Sequence, residues 1–399
     1  MSSRSDVQRL PVLLAVVLAI SGGAVAWSNG WRLVALWAVG IALGYTLYSA
    51  TFRFSAGFRA VLRDGRTAHI RAQLLMIGIA VLLFLPALAA DAVLGQPVRG
   101  FVFPAGAAVA LGAFLFGIGM QLGGGCASGT LYTVGGGSVR MVVTLLFVVT
   151  GATIAAFAAE WWSDLPALPP ISLLTVFGLL PSLLLSVGLL AAIWVAVARY
   201  ERRRHGELAS IWRGAERRCM RGVWPYALAA LALAVLNFVT LILAGRPWGI
   251  TQAFALWGAK ALDDGRLAEP VFWAFWENPT RAEALHRQVW ADTTSLMNIA
   301  VVVGALLAAG LAGRFAPQWR IPTSHLLGSV IGGLLLGAGA IIATGCNISA
   351  MFSGIASGSL HGWLWIAAAL PGNWVGIHLR PWFRLDDPAI AEPSVRHSI

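Results

Sequence analysis

Gly123-Gly-Gly-Cys-Ala-Ser-Gly-Thr130 is a glycine-rich turn around a single cysteine, and it follows a long apolar run. The turn recurs in the second half of the chain as Ala343-Thr-Gly-Cys-Asn-Ile-Ser-Ala350, again after an apolar run. Upstream glycines stand at the same offset before both turns, with Gly117 matching Gly337. The two copies predict a fold built around two equivalent thiol-bearing turns.

The composition places both turns in a membrane protein. Hydrophobic residues make up 58% of the 399 residues, charged residues make up only 11%, and the mean hydropathy is +0.76. Apolar runs long enough to cross hydrocarbon recur along the chain, which predicts an all-α polytopic membrane protein surrounded by a lipid bilayer. The net charge of +11 comes from arginines beside these runs, as insertion topology requires, so we expect no nucleic-acid partner.

The three cysteines, Cys126, Cys219 and Cys346, predict neither a metal site nor a cofactor. No pair has the spacing of zinc ligands, and the sequence contains no nucleotide-binding loop. Cys219 lies in an arginine-rich loop, and we interpret it as a small apolar residue. We therefore expect no metal, no cofactor and no catalytic residue, and we assign function only to the cysteines of the two turns.

Hydropathy predicts ten membrane spans. The first follows Arg4 and Arg9 and ends near Ala24-Val-Ala26, which resembles a signal-peptidase site, but we expect it to be retained because it completes a symmetrical set. Arginines concentrate in segments 51–71 and 199–221, which the positive-inside rule places in the cytoplasm together with both termini, in the inner (plasma) membrane. The predicted spans are residues 10–27, 31–50, 72–94, 101–120, 139–160, 172–198, 223–244, 293–313, 323–343 and 362–380.

The ten spans divide into two inverted repeats of five, so that the two Gly-Cys turns enter the membrane from opposite faces. A second internal match, of Thr51 and Phe54 with Thr251 and Phe254, runs at a constant offset of 200 residues. Inverted repeats are typical of transporters with a site at the membrane midplane. We predict one integral membrane domain, in which residues 1–198 hold the first repeat and span 6, 199–222 form an arginine-rich cytoplasmic loop, and 223–399 complete the second repeat.

The Gly-Cys turns predict short helices, 127–134 and 347–355, that start inside the membrane. Each glycine weakens a continuous helix by about 1 kcal/mol, and a broken helix exposes backbone N–H groups. These N–H groups and the positive helix end attract an anion, and a soft thiol suits an anion that itself carries sulfur. The alternative is that the glycines only allow close helix packing. The candidate pathway residues are Gly125, Cys126, Ser128, Gly129 and Thr130 in the first turn, and Gly345, Cys346, Asn347 and Ser349 in the second.

Two basic residues outside the turns are further candidates for the pathway. Lys260 is the only lysine in the sequence, and it either attracts anions, pairs with Asp263 or Asp264, or extends to the membrane surface. His361 follows the second turn at the position that Arg140 occupies after the first. His361 and Arg140 either guard the two ends of a path or anchor helices at the membrane interface.

At these residues the chain resembles the YeeE/YedE family of sulfur transport proteins, whose characterised members take up thiosulfate. The matching motifs are Gly125–Tyr132 and Gly345–Ala350, with further similarity over Ser357–Trp363 and Trp248–Lys260. The resemblance covers most of the chain. It implies a pseudo-symmetric protein whose short broken helices meet at a central constriction, with cysteines that contact thiosulfate by hydrogen bonding. It also implies a cytoplasmic sulfur-carrier protein as partner.

One difference from the family widens the range of candidate substrates. Thiosulfate transporters of the family use a third cysteine on an early segment, whereas the corresponding stretch here, Arg53–Gly57, holds Ser55 and no cysteine. Selenium compounds, with which some relatives are associated, are therefore an alternative substrate.

Two alternatives belong to other functional classes. One is a membrane thiol-redox protein that uses Cys126 and Cys346, although the sequence has no Cys-x-x-Cys motif. The other is an unselective anion channel. The sequence favours a thiosulfate transporter that is not an enzyme and uses no ATP.

Overall fold

The computed structural model describes residues 7–212 and 223–387, and within them the fold is all-α, as the composition predicts. The α-helices are α1 Arg9–Trp27, α2 Trp31–Ser49, α3 Phe54–Arg59, α4 Ala68–Ala89, α5 Ala107–Gly123, α6 Ala127–Gly135, α7 Val139–Phe157, α8 Ala159–Ser163, α9 Leu173–Phe177, α10 Leu179–His205, α11 Tyr226–Ala244, α12 Gln252–Asp264, α13 Pro279–His286, α14 Thr293–Leu311, α15 Thr323–Ile342, α16 Ser353–Ala356 and α17 Leu360–Leu379.

Other regular structure in the described residues is short. Two π-helices, Ala60–Asp64 and Asn347–Phe352, extend α3 and precede α16, and four 3-10 turns occupy Pro270–Phe272, Ala274–Trp276, Val289–Ala291 and Arg380–Phe383. The strands form two antiparallel pairs of two residues each: β1 Ala92–Val93 with β2 Gln96–Pro97, and β3 Ala105–Gly106 with β4 Ala167–Leu168.

Nine helical segments of the described chain are long and apolar enough to cross a membrane. They overlap the first nine predicted spans, with boundaries that differ by several residues. The tenth predicted span overlaps α17, whose 20 residues suffice to span a bilayer. Three polar or helix-breaking residues, His361, Pro371 and Asn373, leave α17 less apolar than the other nine, so its assignment as a span rests on length alone.

The sixth span differs most from its prediction. The backbone breaks at Gly178, which has a φ of +78°, and α10 then continues to His205, so the predicted arginine-rich loop starts as helix. Glu201 on this extension is buried and forms an ion pair of 3.4 Å with Arg71 of α4. Residues 213–222 of the predicted loop, including Cys219, lie outside the described residues.

Helices α5 and α15 pack antiparallel through glycine. A Cβ on Gly112 would meet the Ala343 nitrogen at 2.5 Å, whereas one on Gly123 would lie 3.4 Å from Gly332, about halfway along α15. The same close approach joins α5 to α17 at Gly117 and α15 to α7 at Gly337. For these upstream glycines the close-packing interpretation is therefore right.

The two peripheral helices, α1 and α10, present apolar side chains to the surroundings. Leu13, Val17 and Ile20 of α1 are exposed, as are Leu180 and Leu184 of α10. Helices satisfy their own backbone hydrogen bonds, so an exposed apolar surface of this kind is compatible with lipid. The chain is a multi-pass membrane protein.

Candidate substrate pathway

The first Gly-Cys turn ends α5 and starts α6, with Cys126 as the N-cap residue of the nine-residue helix. The Cys126 sulfur accepts the Gly129 N–H at 3.3 Å and contacts the Ser128 hydroxyl at 3.3 Å. The Thr130 hydroxyl donates to the Cys126 carbonyl oxygen at 2.9 Å. These three bonds hold the thiol at the positive end of the helix, where backbone N–H groups favour negative charge.

The second turn places Cys346 in the same position before the π-helix Asn347–Phe352. The Cys346 sulfur accepts the Ile348 N–H at 3.4 Å and the Ser349 hydroxyl at 3.6 Å. The Ser349 hydroxyl also accepts the Cys346 N–H at 2.9 Å, which completes a capping box. Both short helices predicted from the sequence are therefore present, and both carry a cysteine at the start.

Different residues break the chain before the two cysteines. Gly124 has a φ of +88°, which glycine adopts without strain, whereas Thr344 has a φ of +57°, which is unfavourable for a branched side chain. A Cβ on Gly345 would meet the Ser349 hydroxyl at 2.5 Å, so only glycine fits between Thr344 and the second cysteine. The Trp365 indole N–H, at 3.1 Å from the Gly345 carbonyl oxygen, fixes this turn against α17.

Both thiols lie in the buried interior. Cys126 and Cys346 are each 1% exposed, both are free, and the two lie within electrostatic range of each other. Asn347 is completely buried beside Cys346, yet neither its amide nitrogen nor its amide oxygen has a hydrogen-bond partner among the described residues. Leaving such a group unpaired costs about 1–3 kcal/mol, so the Asn347 amide is available to a polar ligand.

The structure places His361 at the far end of the second short helix. Its Nδ1 lies 2.6 Å from the Ser359 hydroxyl, and its ring packs against Phe103 and against Gly354 of α16. The other ring nitrogen, Nε2, is buried without a partner in the described chain. Its sequence counterpart Arg140 binds the Leu122 carbonyl oxygen and lies beside the first turn.

Lys260 lies apart from the contacts that surround the cysteines. Its ammonium donates to the Leu285 carbonyl oxygen at 2.7 Å, which ties α12 to α13. Among the described residues it forms no ion pair with Asp263 or Asp264. The structure therefore brings together the residues of each turn, places His361 at the far end of the second short helix, and holds Lys260 against the 263–292 segment.

Several polar residues that support the turns were missed by sequence reasoning. Gln121 donates to both the Ser55 carbonyl oxygen at 3.0 Å and Asn373 Oδ1 at 2.8 Å, so it holds the early segment beside the end of α5. On the second turn's side, the amide of Asn237 bonds the Ser353 hydroxyl at 3.1 Å. Their signal in the sequence was a single amide side chain inside an apolar helix.

A small cleft is lined by Thr344 of the second turn and by Arg281 of α13, which supplies a positive charge. Burial lowers the pKa of the Arg281 guanidinium from its ordinary value, and the centroid of the Phe275 ring lies 4.2 Å from it. A poorly solvated cation therefore lies near the Cys346 turn.

Comparison with known proteins agrees with this arrangement. A family model described as sulphur transport matches residues 49–375. The chain is 31% identical to the thiosulfate transporter TsuA of Spirochaeta thermophila over 281 residues, which cover 66% of this chain and 74% of that protein. It is 25% identical to TsuA of Escherichia coli over 68% of this chain and 74% of that protein, and 30% identical to the probable transporter YedE of the same organism over 41% and 40%. The family resemblance read from the Gly-Cys motifs is thus confirmed, and the chain belongs to the sulfur transport (YeeE/YedE) family of membrane proteins.

Proposed function

We propose that the chain transports thiosulfate or a related sulfur-containing anion across the membrane, and that the anion passes between Cys346 and Cys126. The observation that carries the proposal is the pair of buried thiols, each at the start of a short helix, with the unpartnered amide of Asn347 beside one of them. The similarity to two TsuA proteins, which are named as thiosulfate transporters, supports the substrate class.

The chemistry of the two turns fits a sulfur anion in two respects. Backbone N–H groups and helix dipoles offset the negative charge, as at other helix N-termini that bind anions. A thiol is a weak donor with a polarizable sulfur, which suits the terminal sulfur of thiosulfate better than it suits water. Contact by hydrogen bonding leaves no covalent intermediate to resolve, and the anion moves on without a chemical step.

Within the pathway, residues of the first turn (Gly125, Ser128, Gly129 and Thr130) and of the second (Gly345, Asn347 and Ser349) shape the contacts to the anion. His361 stands at the end of the second short helix, and its unpartnered Nε2 is a further polar contact. Lys260 is the weakest member of the proposed set, because its ammonium is already bound to a carbonyl oxygen.

Helix packing supports an inverted repeat in the transporter. Helix α5 packs on α17, and its counterpart α15 packs on α7; likewise α1 packs on α14, and α10 packs on α4. When each helix is replaced by its counterpart in the other half of the chain, the first pair of each comparison becomes the second. We propose that the two halves are related in this way and that the turns open towards opposite faces.

The distribution of arginine supports an orientation in the inner membrane with both termini in the cytoplasm. Arg53, Arg59, Arg63 and Arg380 lie at one end of the molecule, which we call the arginine-rich end. In this orientation the end faces the cytoplasm, the cleft at Thr344 faces outward, and import runs from Cys346 to Cys126. A cytoplasmic sulfur-carrier protein is the proposed acceptor, with the 199–222 segment as its docking region.

Uptake of radiolabelled thiosulfate into proteoliposomes tests the proposal. We expect uptake by the native chain and its loss in Cys126→Ala and Cys346→Ala, with Cys219→Ala as a matched control because that cysteine lies outside both turns. Native protein that folds but takes up selenium compounds in place of thiosulfate would establish the alternative substrate. Full uptake by both single-cysteine variants would refute the pathway and favour an unselective channel.

The same cysteine variants distinguish the thiol-redox alternative from transport. This alternative requires oxidation of Cys126 and Cys346 to a disulfide, which needs their Cα atoms to come within about 7 Å. A redox protein would lose dithiol oxidation when either cysteine is replaced, and it would show no net accumulation of labelled anion inside the vesicles. The similarity to proteins named as transporters favours transport over catalysis.

A further inference from the structure

An arginine at the arginine-rich end is half-buried, and one of its N–H donors lacks a partner among the described residues. Arg53 precedes α3, and its Nε atom is buried without a hydrogen-bond partner. In the part of the chain that the structure describes, no carboxylate lies within ion-pair distance of Arg53. The nearby Asp386 pairs instead with Arg63 at 3.2 Å and with Arg380 at 2.8 Å. A buried guanidinium N–H without an acceptor is unfavourable, and a bound anion would supply that acceptor.

A second unpartnered group lies beside the same guanidinium. Tyr132 of α6 is 1% exposed, and its hydroxyl faces Arg53 but has no hydrogen bond of ordinary geometry in the described chain. Buried tyrosine hydroxyls usually find a partner, since an apolar setting does not replace lost water. Two donors, one charged and one neutral, are therefore directed at the same small region.

This region lies on the side of Cys126 that leads to the arginine-rich end. Tyr132 follows Cys126 by six residues, which is about 9 Å further along the axis of α6. One turn beyond, a Cβ on Gly136 would meet the ring of Tyr48, in the last turn of α2, at 2.5 Å. The region therefore lies further along α6 than the thiol, in a position to receive the anion next.

The other groups around Arg53 are aromatic rings and a second cation, Arg59. Its charge acts on Tyr48, Tyr226 and His69, and the His69 and Tyr226 rings lie 4.3 Å apart. A guanidinium with a purely structural role would use its N–H groups on carbonyl or carboxylate oxygens. Here the surroundings supply walls and hydroxyls but no negative charge.

We propose that Arg53 and the Tyr132 hydroxyl form a second anion-binding site, which takes the oxygen atoms of thiosulfate or a similar tetrahedral oxyanion on the arginine-rich side of Cys126. The inference rests on the proposed transport function and adds a site to it. A guanidinium binds two oxygens of one anion through its planar N–H groups, and a phenol donates one further hydrogen bond. The thiols therefore recognise the sulfur end of the anion, and Arg53 with Tyr132 recognises its oxygen end.

The decisive variant is Tyr132→Phe, because it removes one oxygen atom from a site where that oxygen has no partner. Thermal unfolding of the purified full chain, with and without thiosulfate or sulfate, is measured beside proteoliposome uptake. A bound anion raises the melting temperature in proportion to its affinity. The matched control is Tyr200→Phe, whose hydroxyl is exposed and binds Arg204 at 2.9 Å.

For Tyr132→Phe we expect an unchanged or higher melting temperature without anion, together with a loss of about tenfold in anion affinity and uptake, the effect of one hydrogen bond to a charged group. A merely structural hydroxyl would instead lower the melting temperature without anion and leave the anion-dependent shift intact. Tyr200→Phe should match the native chain in its melting temperature without anion, its anion affinity and its uptake.

Arginine variants test the charge independently. Arg53→Gln should lose most of the anion-dependent stabilisation, Arg53→Lys should retain part of it, and Arg63→Gln should retain all of it because Arg63 is exposed and already paired. If the native chain transports thiosulfate while Tyr132→Phe and Arg53→Lys behave like it, the second site is refuted and the transport function stands. If the native chain neither transports nor is stabilised by thiosulfate, sulfate or selenate, both proposals fail.

Discussion

The two Gly-Cys turns perform the same local task with different residues. In the first, Gly124 takes the left-handed conformation and a regular α-helix follows; in the second, Thr344 takes it and a π-helix follows. The hydroxyls of Ser128 and Thr130 next to Cys126 have hydrogen-bond partners, whereas the amide of Asn347 next to Cys346 has none among the described residues. Strain, π-helical geometry and unpaired polar atoms often coincide with functional sites. The second turn is therefore the more specialised of the two.

The largest expected difference concerns the glycine before each cysteine. We expect Gly345→Ala to lower the free energy of unfolding by about 3 kcal/mol or more, since a new Cβ would collide with the Ser349 hydroxyl and the Ala350 nitrogen. Gly125→Ala should cost about 1 kcal/mol or less, because its nearest neighbour would be the Thr130 nitrogen at 3.3 Å. Melting temperatures in detergent measure both changes, and equal losses would mean that the turns are equally tight.

Asn347 offers the second test. Asn347→Ala should leave stability unchanged or raise it, because an unsatisfied buried amide is removed, while thiosulfate uptake falls about tenfold. Asn373→Ala is the matched control, since that amide already binds Gln121 and the Ala369 carbonyl oxygen. It should lose stability without a selective change in anion affinity. Normal uptake by Asn347→Ala would show that the amide does not contact the anion.

The sequence predicted the architecture better than it predicted these differences. Apolar runs located the helices, and the repeated Gly-Cys pattern located both short helices with a cysteine at the start of each, because glycine content and hydropathy act locally. Pairings between distant residues, such as Gln121 with Asn373 or Trp365 with Gly345, depend on how helices pack and leave no local pattern. The same reason explains Lys260, whose partner is a backbone carbonyl oxygen 25 residues away.

Thr344 and Gly124, which take the left-handed backbone conformation before the two cysteines, can be tested by opposite substitutions. A non-glycine residue in this conformation costs roughly 1–2 kcal/mol, so Thr344→Gly should raise the free energy of unfolding by up to about 1 kcal/mol after the flexibility of glycine is subtracted. Gly124→Ala should lower it by a similar amount, and its Cβ would lie 3.0 Å from the Met141 methyl group. Chemical denaturation or thermal melting shows whether each substitution raises or lowers the free energy of unfolding. Destabilisation by Thr344→Gly would mean that the Thr344 hydroxyl, rather than its backbone, secures the turn.

The smallest expected difference separates the two serines that contact the thiols. Ser349 both accepts the Cys346 N–H and donates to its sulfur, so Ser349→Ala should cost about 1 kcal/mol, as for the loss of a helix cap. Ser128 contacts only the Cys126 sulfur, at 3.3 Å, and sulfur is a weak partner, so Ser128→Ala should cost less than about 0.5 kcal/mol.

The loss of uptake should also be larger for Ser349→Ala than for Ser128→Ala, because each serine affects the anion only by positioning the thiol. A cysteine that keeps its helix N-terminal N–H bond, as Cys126 does with Gly129, stays in place when the serine is lost. Cys346 also keeps its bond from the Ile348 N–H, but it loses both the capping box that fixes its own N–H and the hydroxyl that donates to its sulfur, so its sulfur gains more freedom. Initial uptake rates of the two variants at one subsaturating thiosulfate concentration decide the matter. A stronger effect of Ser128→Ala than of Ser349→Ala would reverse the comparison and make the first turn the more demanding contact.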